Sequence, residues 1–173
     1  EYKIAQTISA DSEALSEINT SENPYKLSID ITAAGYVEGD LTAKESSYSK
    51  SIQNDSMLGI APELIYSNSS SIDNVTLKFE ISSEYVENTL NLFPDEDELA
   101  GIKRLNVFKY FEDINMLLPI ETFFDVDNNV IYTNVDELGT YCVMDMELWL
   151  NSFDVPEEAY LSTPMLMSLL PED

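Results

Sequence analysis

The sequence predicts a mainly β protein, an antiparallel β-sandwich with one or two short helices. Several segments alternate apolar and polar residues, which is typical of strands with one buried and one wet face. Turn-forming residues separate these segments at intervals of roughly ten residues, as in sandwich folds. Because 44% of the 173 residues are hydrophobic, the chain can bury a proper core, and wholesale disorder is excluded.

The first half of the chain contains the clearest strand patterns. In "YKLSIDITAAGYVEGDLTAKES", Leu27, Ile29 and Ile31 alternate with polar residues before a glycine-bearing turn, which predicts two strands. "SMLGIAPELIYSNSS" contains a shorter apolar run. "SIDNVTLKFEIS" gives the strongest strand prediction, with apolar residues at Ile72, Val75, Leu77, Phe79 and Ile81.

The second half predicts a strand, a hairpin and a helix. Leu105 and Val107 alternate in "KRLNVFKYFEDI". A hairpin is predicted next, in which residues 120–124 form the first strand, residues 125–129 the turn and residues 130–132 the second strand. Asp and Asn favour such a turn because they tolerate left-handed backbone angles. In "MELWLNSF" the apolar residues have helical spacing. These are Met146, Trp149, Leu150 and Phe153.

The chain is predicted to contain three regions. Residues 1–24 are polar with sparse apolar anchors and are predicted to be a linker or an edge segment; residues 25–153 form the sandwich module. Within it, Pro94 and the acids after it predict one helical turn. Residues 154–173 contain three prolines, which forbid a long helix or a central strand, so this is predicted to be a C-terminal tail.

The charge balance restricts the partners. Eight Lys and Arg oppose 33 Asp and Glu, which gives a net charge of −25. Such a surface repels nucleic acid and anionic lipid. No apolar run approaches the roughly 18 residues of a membrane span, so no membrane insertion is expected. The chain opens "EYKIAQ" without an initiating methionine, and we interpret it as a piece of a longer protein.

Most enzyme classes are excluded by the residues that the chain lacks. There is no histidine, which removes Ser-His-Asp and Cys-His triads and imidazole zinc sites. Cys142 is the only cysteine, so no internal disulfide and no multi-cysteine metal site can form. We expect Cys142 to be an inert core residue, and we expect no enzyme activity and no catalytic residue.

The segment "VDELGTYCVMDMELWL" closes an ordered set of motifs. It follows "DNVTLKFEIS", "LFPDEDELAGIKRLNVFKYFED" and the hairpin "LLPIETFFDVDNNVIYTNV". This order resembles a β-sandwich module of large secreted or cell-surface proteins of Gram-positive bacteria, which often lies beside von Willebrand A-type domains. That module is similar in turn to the autoproteolytic GAIN-like sandwiches of adhesion receptors. There a His-Phe-Ser or His-Leu-Thr turn cleaves its own backbone by an N-to-O acyl shift.

The resemblance implies a degenerate cleavage turn in this chain. Tyr141 and Asp145 match the family tyrosine and aspartate, and Leu138 matches the middle residue of the cleavage triplet. Glu137 stands in place of the histidine, and a carboxylate ionised at neutral pH is a weak base for an alcohol. Gly139 stands in place of the nucleophile and has no hydroxyl.

We expect the remaining residues of this segment to have structural roles. Thr140 comes one residue too late, so its hydroxyl would lie on the other face of the strand. We expect Gly139 to permit the turn into the strand. Tyr141 and Val143 would face one side and Cys142 and Met144 the other, and Trp149 would seat the closing helix against the end of the sandwich.

Two acidic segments are candidate cation sites. Asp125, Asp127 and Asn129 have the alternating oxygen spacing that begins a calcium loop, but the glycine and the bidentate glutamate of an EF-hand are missing. A plain hairpin turn is the simpler interpretation. Asp95 to Glu98 supplies four carboxylates, which a helix N-terminus explains equally well.

These observations predict a non-catalytic structural and interaction module of a bacterial extracellular or cell-surface protein. It would space or display neighbouring domains of the same parent protein. The alternative is a module that binds a glycan or another ligand through exposed tyrosines, with a structural calcium ion; Tyr25, Tyr36, Tyr48 and Tyr66 are the candidates. A third reading, active self-processing, would need the residues that Glu137 and Gly139 replace.

Overall fold

Antiparallel strands build two layers in the computed structural model, which describes residues 2–47, 56–68, 72–92 and 100–153. The first sheet contains β1 (Lys3–Ile8), β2 (Tyr25–Ala34), β6 (Ile72–Ile81), β9 (Phe123–Asp125) and β10 (Val130–Val135). Their order is β1-β2-β6-β10-β9, and every neighbouring pair is antiparallel. The predicted fold class, a mainly β antiparallel sandwich with short helices, is confirmed.

The second layer is centred on β11. It contains β3 (Leu41–Glu45), β4 (Met57–Leu58), β5 (Pro62–Tyr66), β7 (Leu105–Phe111), β8 (Met116–Pro119) and β11 (Tyr141–Asp145). One edge of β11 pairs with β7, which pairs with β8. The other edge pairs with β4 near its end, and a bridge between Glu63 and Thr140 joins its start to β5. β3 pairs with the far edge of β5.

The core lies between the two layers. The predicted alternation is confirmed in β2 and β6, where Ile29 lies opposite Leu77 and Leu27 opposite Phe79. Side chains from both layers join in one cluster. The first sheet contributes Leu27, Ile29, Ile31, Val75, Leu77, Phe79 and Ile131, and the second layer contributes Leu58, Leu64, Tyr66, Leu105, Val107, Tyr141 and Val143.

A second, smaller core lies on the outer face of the second layer. Helix α3 (Met146–Asn151) follows β11 directly and covers Phe108, Cys142 and Met144. The Trp149 ring packs edge-on against Phe108, with 5.0 Å between the ring centroids. Trp149 therefore seats the closing helix on the outer face of the second layer, because α3 follows β11 directly and packs on Phe108; the predicted position, against the end of the sandwich, was wrong.

The segment before residue 25 packs with the sandwich. β1 is an edge strand of the first sheet, and Leu15 and Ile18 are fully buried in the main core. The Asn19 side chain accepts from the Leu27 amide (2.7 Å) and donates to the Leu27 carbonyl (2.8 Å). The predicted tail, residues 154–173, lies outside the described residues.

Two helices precede β7. The sequence patterns did not predict α1 (Ser83–Leu92), whose first turn is capped by the Ser82 hydroxyl accepting from the Tyr85 amide (3.2 Å). The acids at 95–98 lie outside the described residues, and α2 (Ala100–Lys103) follows them. No helix in the described parts of the chain has the length and apolarity to span a bilayer.

Substitutions at neighbouring positions of β6 test which face of the first sheet is the core. Leu77 is fully buried, whereas Thr76 lies on the outer face and donates to Asn134. Leu77→Ala should lower the free energy of unfolding by about 2–5 kcal/mol, and Thr76→Ala by less than about 1 kcal/mol. Urea unfolding followed by circular dichroism measures both. Equal losses would contradict the packing described above.

Candidate functional site

The segment that resembles a cleavage turn is the point where the chain changes layers. β10 ends at Val135 in the first sheet, and β11 begins at Tyr141 in the second. Residues 137–145, which we call the corner, complete this crossing and run through the whole of β11. The corner is therefore fixed by both layers.

A hydrogen bond from Tyr141 joins two residues of the corner. Its hydroxyl donates to the carbonyl of Glu137, four residues upstream, at 2.7 Å, and its ring is fully buried between the layers. Burial raises the pKa of Tyr141, and the carboxylates of Glu137 and Asp136 raise it further, so the phenol stays protonated and keeps donating. Sandwiches of other families use the same device, a tyrosine corner, where a strand begins.

Glu137 and Leu138, which fall on the histidine and middle positions of the resembled triplet, have structural contacts here. The Glu137 carboxylate pairs with the ammonium group of Lys109, which comes from β7. Leu138 is half-buried and packs against the main core. The residue at the histidine position therefore takes part in an ion pair rather than contacting a nucleophile.

Gly139 does not have the role expected from the sequence. Its φ angle lies outside the left-handed region, and a Cβ built on it would meet no atom within 4 Å. The turn therefore does not require glycine, and this expectation was wrong. The Gly139 carbonyl accepts from the Leu64 amide (2.9 Å), and the carbonyl of buried Thr140 accepts from the Tyr110 amide (2.9 Å).

Asp145 ends the corner in a buried ion pair. One carboxylate oxygen, Oδ2, accepts from Arg104 Nε at 3.0 Å, and the other, Oδ1, caps α3 by accepting from the Leu148 amide at 3.0 Å. Both charged side chains are less than one-tenth exposed. Arg104 also reaches the exposed carboxylate of Glu147 through Nη1 (3.1 Å).

Sequence reasoning missed Arg104 as the partner of Asp145. The available signal was an aspartate directly before a helical pattern, which predicts an N-cap, in a chain with few basic residues. Arg104 is 41 positions away in the sequence, so only the pairing of β7 with β11 brings the two side chains together.

The candidate calcium loop is a hairpin turn. Residues 126–128 form a 3-10 turn between β9 and β10, and Asn129 adopts the left-handed conformation with φ 54°, as its residue type predicted. The Asp125 carboxylate accepts from the Asn128 side chain at 2.9 Å, and Asp127 lies within the turn. Within the described ranges, no three Cys, Asp or Glu side chains gather as metal ligands. Asp95 to Glu98 lie outside those ranges.

Two of the four candidate tyrosines are buried. The Tyr25 hydroxyl donates to the Ile60 carbonyl (2.6 Å), and the Tyr66 hydroxyl donates to Gln6 (2.7 Å). Tyr36 is 80% exposed, and its ring lies 4.6 Å from that of exposed Tyr2, tilted by 41°. Tyr48 lies outside the described residues.

Cys142 faces the outer core and has no access to solvent. Burial raises the pKa of the thiol, so the reactive thiolate is scarce at neutral pH. The position is that of a small packed side chain, in keeping with the sequence prediction.

The chain matches no known protein-family model, no curated protein and no solved structure. The resemblance to the Gram-positive surface module and to self-cleaving sandwiches therefore stays a prediction.

Asp145 and Glu147 give a matched test of the buried ion pair. Asp145→Ala removes the helix cap and leaves Arg104 buried without its inner carboxylate, so the free energy of unfolding should fall by about 3–5 kcal/mol. Glu147→Ala removes only the exposed outer partner and should change it by less than about 1 kcal/mol. Chemical denaturation followed by Trp149 fluorescence reports both. Similar effects of the two variants would contradict the assigned roles.

Proposed function

We propose that this chain is a non-catalytic structural and interaction module of a bacterial secreted or cell-surface protein, spacing or displaying the neighbouring domains of its parent. One observation carries the proposal. In the segment that resembles a cleavage turn, the Tyr141 hydroxyl donates a hydrogen bond to the Glu137 carbonyl, and glycine stands at position 139, where the self-cleaving family has its nucleophile. Both features support a fixed corner rather than a turn that carries out an acyl shift.

The composition supports the proposed setting. A net charge of −25 keeps an exposed module soluble and repels nucleic acid. Packing between two layers, together with the outer core under α3, provides stability without a disulfide. The proposed partners are the neighbouring domains of the same parent protein and a protein or glycan ligand that the module binds.

The second candidate is a glycan-binding module, and the exposed pair Tyr2 and Tyr36 favours it. Aromatic rings offer apolar faces on which sugar rings can stack. The burial of Tyr25 and Tyr66 removes two of the four rings first considered for this role. Binding of soluble oligosaccharides that is lost in Tyr36→Ala but kept in Tyr36→Phe would favour this candidate over the first.

A calcium titration tests the candidate ion site. The full chain should melt at the same temperature with and without millimolar calcium, because Asn128 already holds the Asp125 carboxylate and no third acidic ligand lies beside it among the described residues. Differential scanning calorimetry measures this, with magnesium as the control for ionic strength. A calcium-specific rise of several degrees that Asp127→Ala abolishes would establish a site.

Intact mass tests the absence of self-cleavage. The wild-type chain and Gly139→Ser should both give one species, near 19.5 kDa for the wild type. A serine side chain has room at 139, but Glu137 remains paired with Lys109 and no residue of the corner has a left-handed backbone angle. If the wild-type chain gave two fragments, cleaved between residues 138 and 139, the proposal would be contradicted. Cleavage only in Glu137→His/Gly139→Ser would support the ancestral relationship.

A further inference from the structure

The second layer contains a gap beside the start of β11. The two residues just before β11 join it to β5, Gly139 by accepting from the Leu64 amide and Thr140 through the bridge with Glu63, whereas β5 continues to Tyr66. On the other side, β7 continues to Phe111, beyond the pairing of Lys109 with Tyr141. The chain before β11 crosses to the other sheet instead of continuing between these two strands. We call this gap the strand slot.

The slot has the width of one strand. Neighbouring strands lie about 4.7–4.9 Å apart, so β5 and β7 are separated by roughly 9–10 Å where β11 lies between them. A cavity of about 770 Å³ occupies the gap, and Tyr66, Phe111, Leu138 and Gly139 are among its lining residues. A single extended segment placed there would continue the line of β11.

The main chain of β5 faces into the slot. The Leu64 amide donates to the Gly139 carbonyl, whereas the Ser67 amide donates to Asp40 on the β3 side. Backbone groups of alternate residues in a strand point to the same side, so the amide and carbonyl of Tyr66 face the slot as those of Leu64 do. Among the described residues, no strand pairs with this edge of β5 beyond Glu63.

The slot walls are both apolar and acidic. Ile65 is 50% exposed, and half-buried Leu138 and Phe111 line the same cavity. Four carboxylate residues also line it: Glu63, Glu112, Asp113 and Glu137. Lys109 is the one basic residue in this lining, and it pairs with Glu137. The slot therefore combines a surplus of negative charge with a few apolar side chains.

We propose that the strand slot binds an extended peptide segment that alternates apolar and basic residues and adds as a strand between β5 and β7, antiparallel to both. The apolar side chains pack on Leu138 and Phe111, and the basic side chains meet the acidic rim. Added strands gain affinity from main-chain hydrogen bonds and specificity from alternate side chains. The inference rests on the proposed interaction function and names its partner, a segment of a neighbouring polypeptide.

A peptide titration on the full chain tests this inference. The probe is KVKVKV-amide with fluorescein on its N-terminal amine, and EVEVEV-amide and KGKGKG-amide with the same label are controls for charge and for strand propensity. Gly139 offers the matched variants, since it lines the cavity and a Cβ there meets no atom within 4 Å. A phenylalanine should crowd the slot and an alanine should leave it open, and neither changes the charge. Anisotropy is measured near 0.15 M salt, where attraction beyond about 8 Å is screened. Circular dichroism checks that each variant is folded.

The KVKVKV peptide should bind wild type and Gly139→Ala alike, and at least tenfold more weakly to Gly139→Phe. The double variant Glu112→Lys/Asp113→Lys changes only exposed residues at the rim of the slot and should weaken binding by a similar factor. It replaces Gly139→Phe in the test if that variant does not fold. No binding to wild type, equal binding to Gly139→Phe, or equal binding of KGKGKG would overturn the inference. The intact-mass result does not depend on the slot, so the two proposals fail separately.

Discussion

The burial of β11 on both faces is the constraint on which the rest of the structure depends. All five of its residues are buried. Tyr141 and Val143 enter the core between the layers, and Cys142 and Met144 enter the core under α3. A register shift of one residue would exchange the two sets, and it would move Asp145 away from Arg104. One strand therefore determines how both cores and the closing helix fit together.

The polar interactions around β11 complete this constraint. A buried Arg–Asp pair gains little net stability because both charges lose their hydration, but removing either partner is costly. Here the same carboxylate caps α3, so the pair fixes where the strand ends and the helix begins. At the other end, the Tyr141 hydroxyl closes the corner. These bonds at both ends hold the shape of the segment, which supports the structural role that we propose for it.

Local patterns predicted the fold class and most strands, and contacts distant in sequence decided the rest. The alternation around Leu77 and the turn at Asn129 depend on a few adjacent residues, so both were predictable. The sequence patterns did not single out helix α1, whose start is capped by Ser82. Arg104 and the strand slot depend on which strands become neighbours, and Gly139 depends on a φ angle that residue type alone does not set.

Hydrogen exchange of the native chain tests the central position of β11 most directly. If β11 holds both cores together, the amides of Val143 and Met144 exchange only through global unfolding, and their opening free energy equals that from urea denaturation. Amides of the edge strand β1 that face β2, such as Gln6, should exchange through smaller openings and therefore faster. Exchange of the β11 amides as fast as those of β1 would contradict the account.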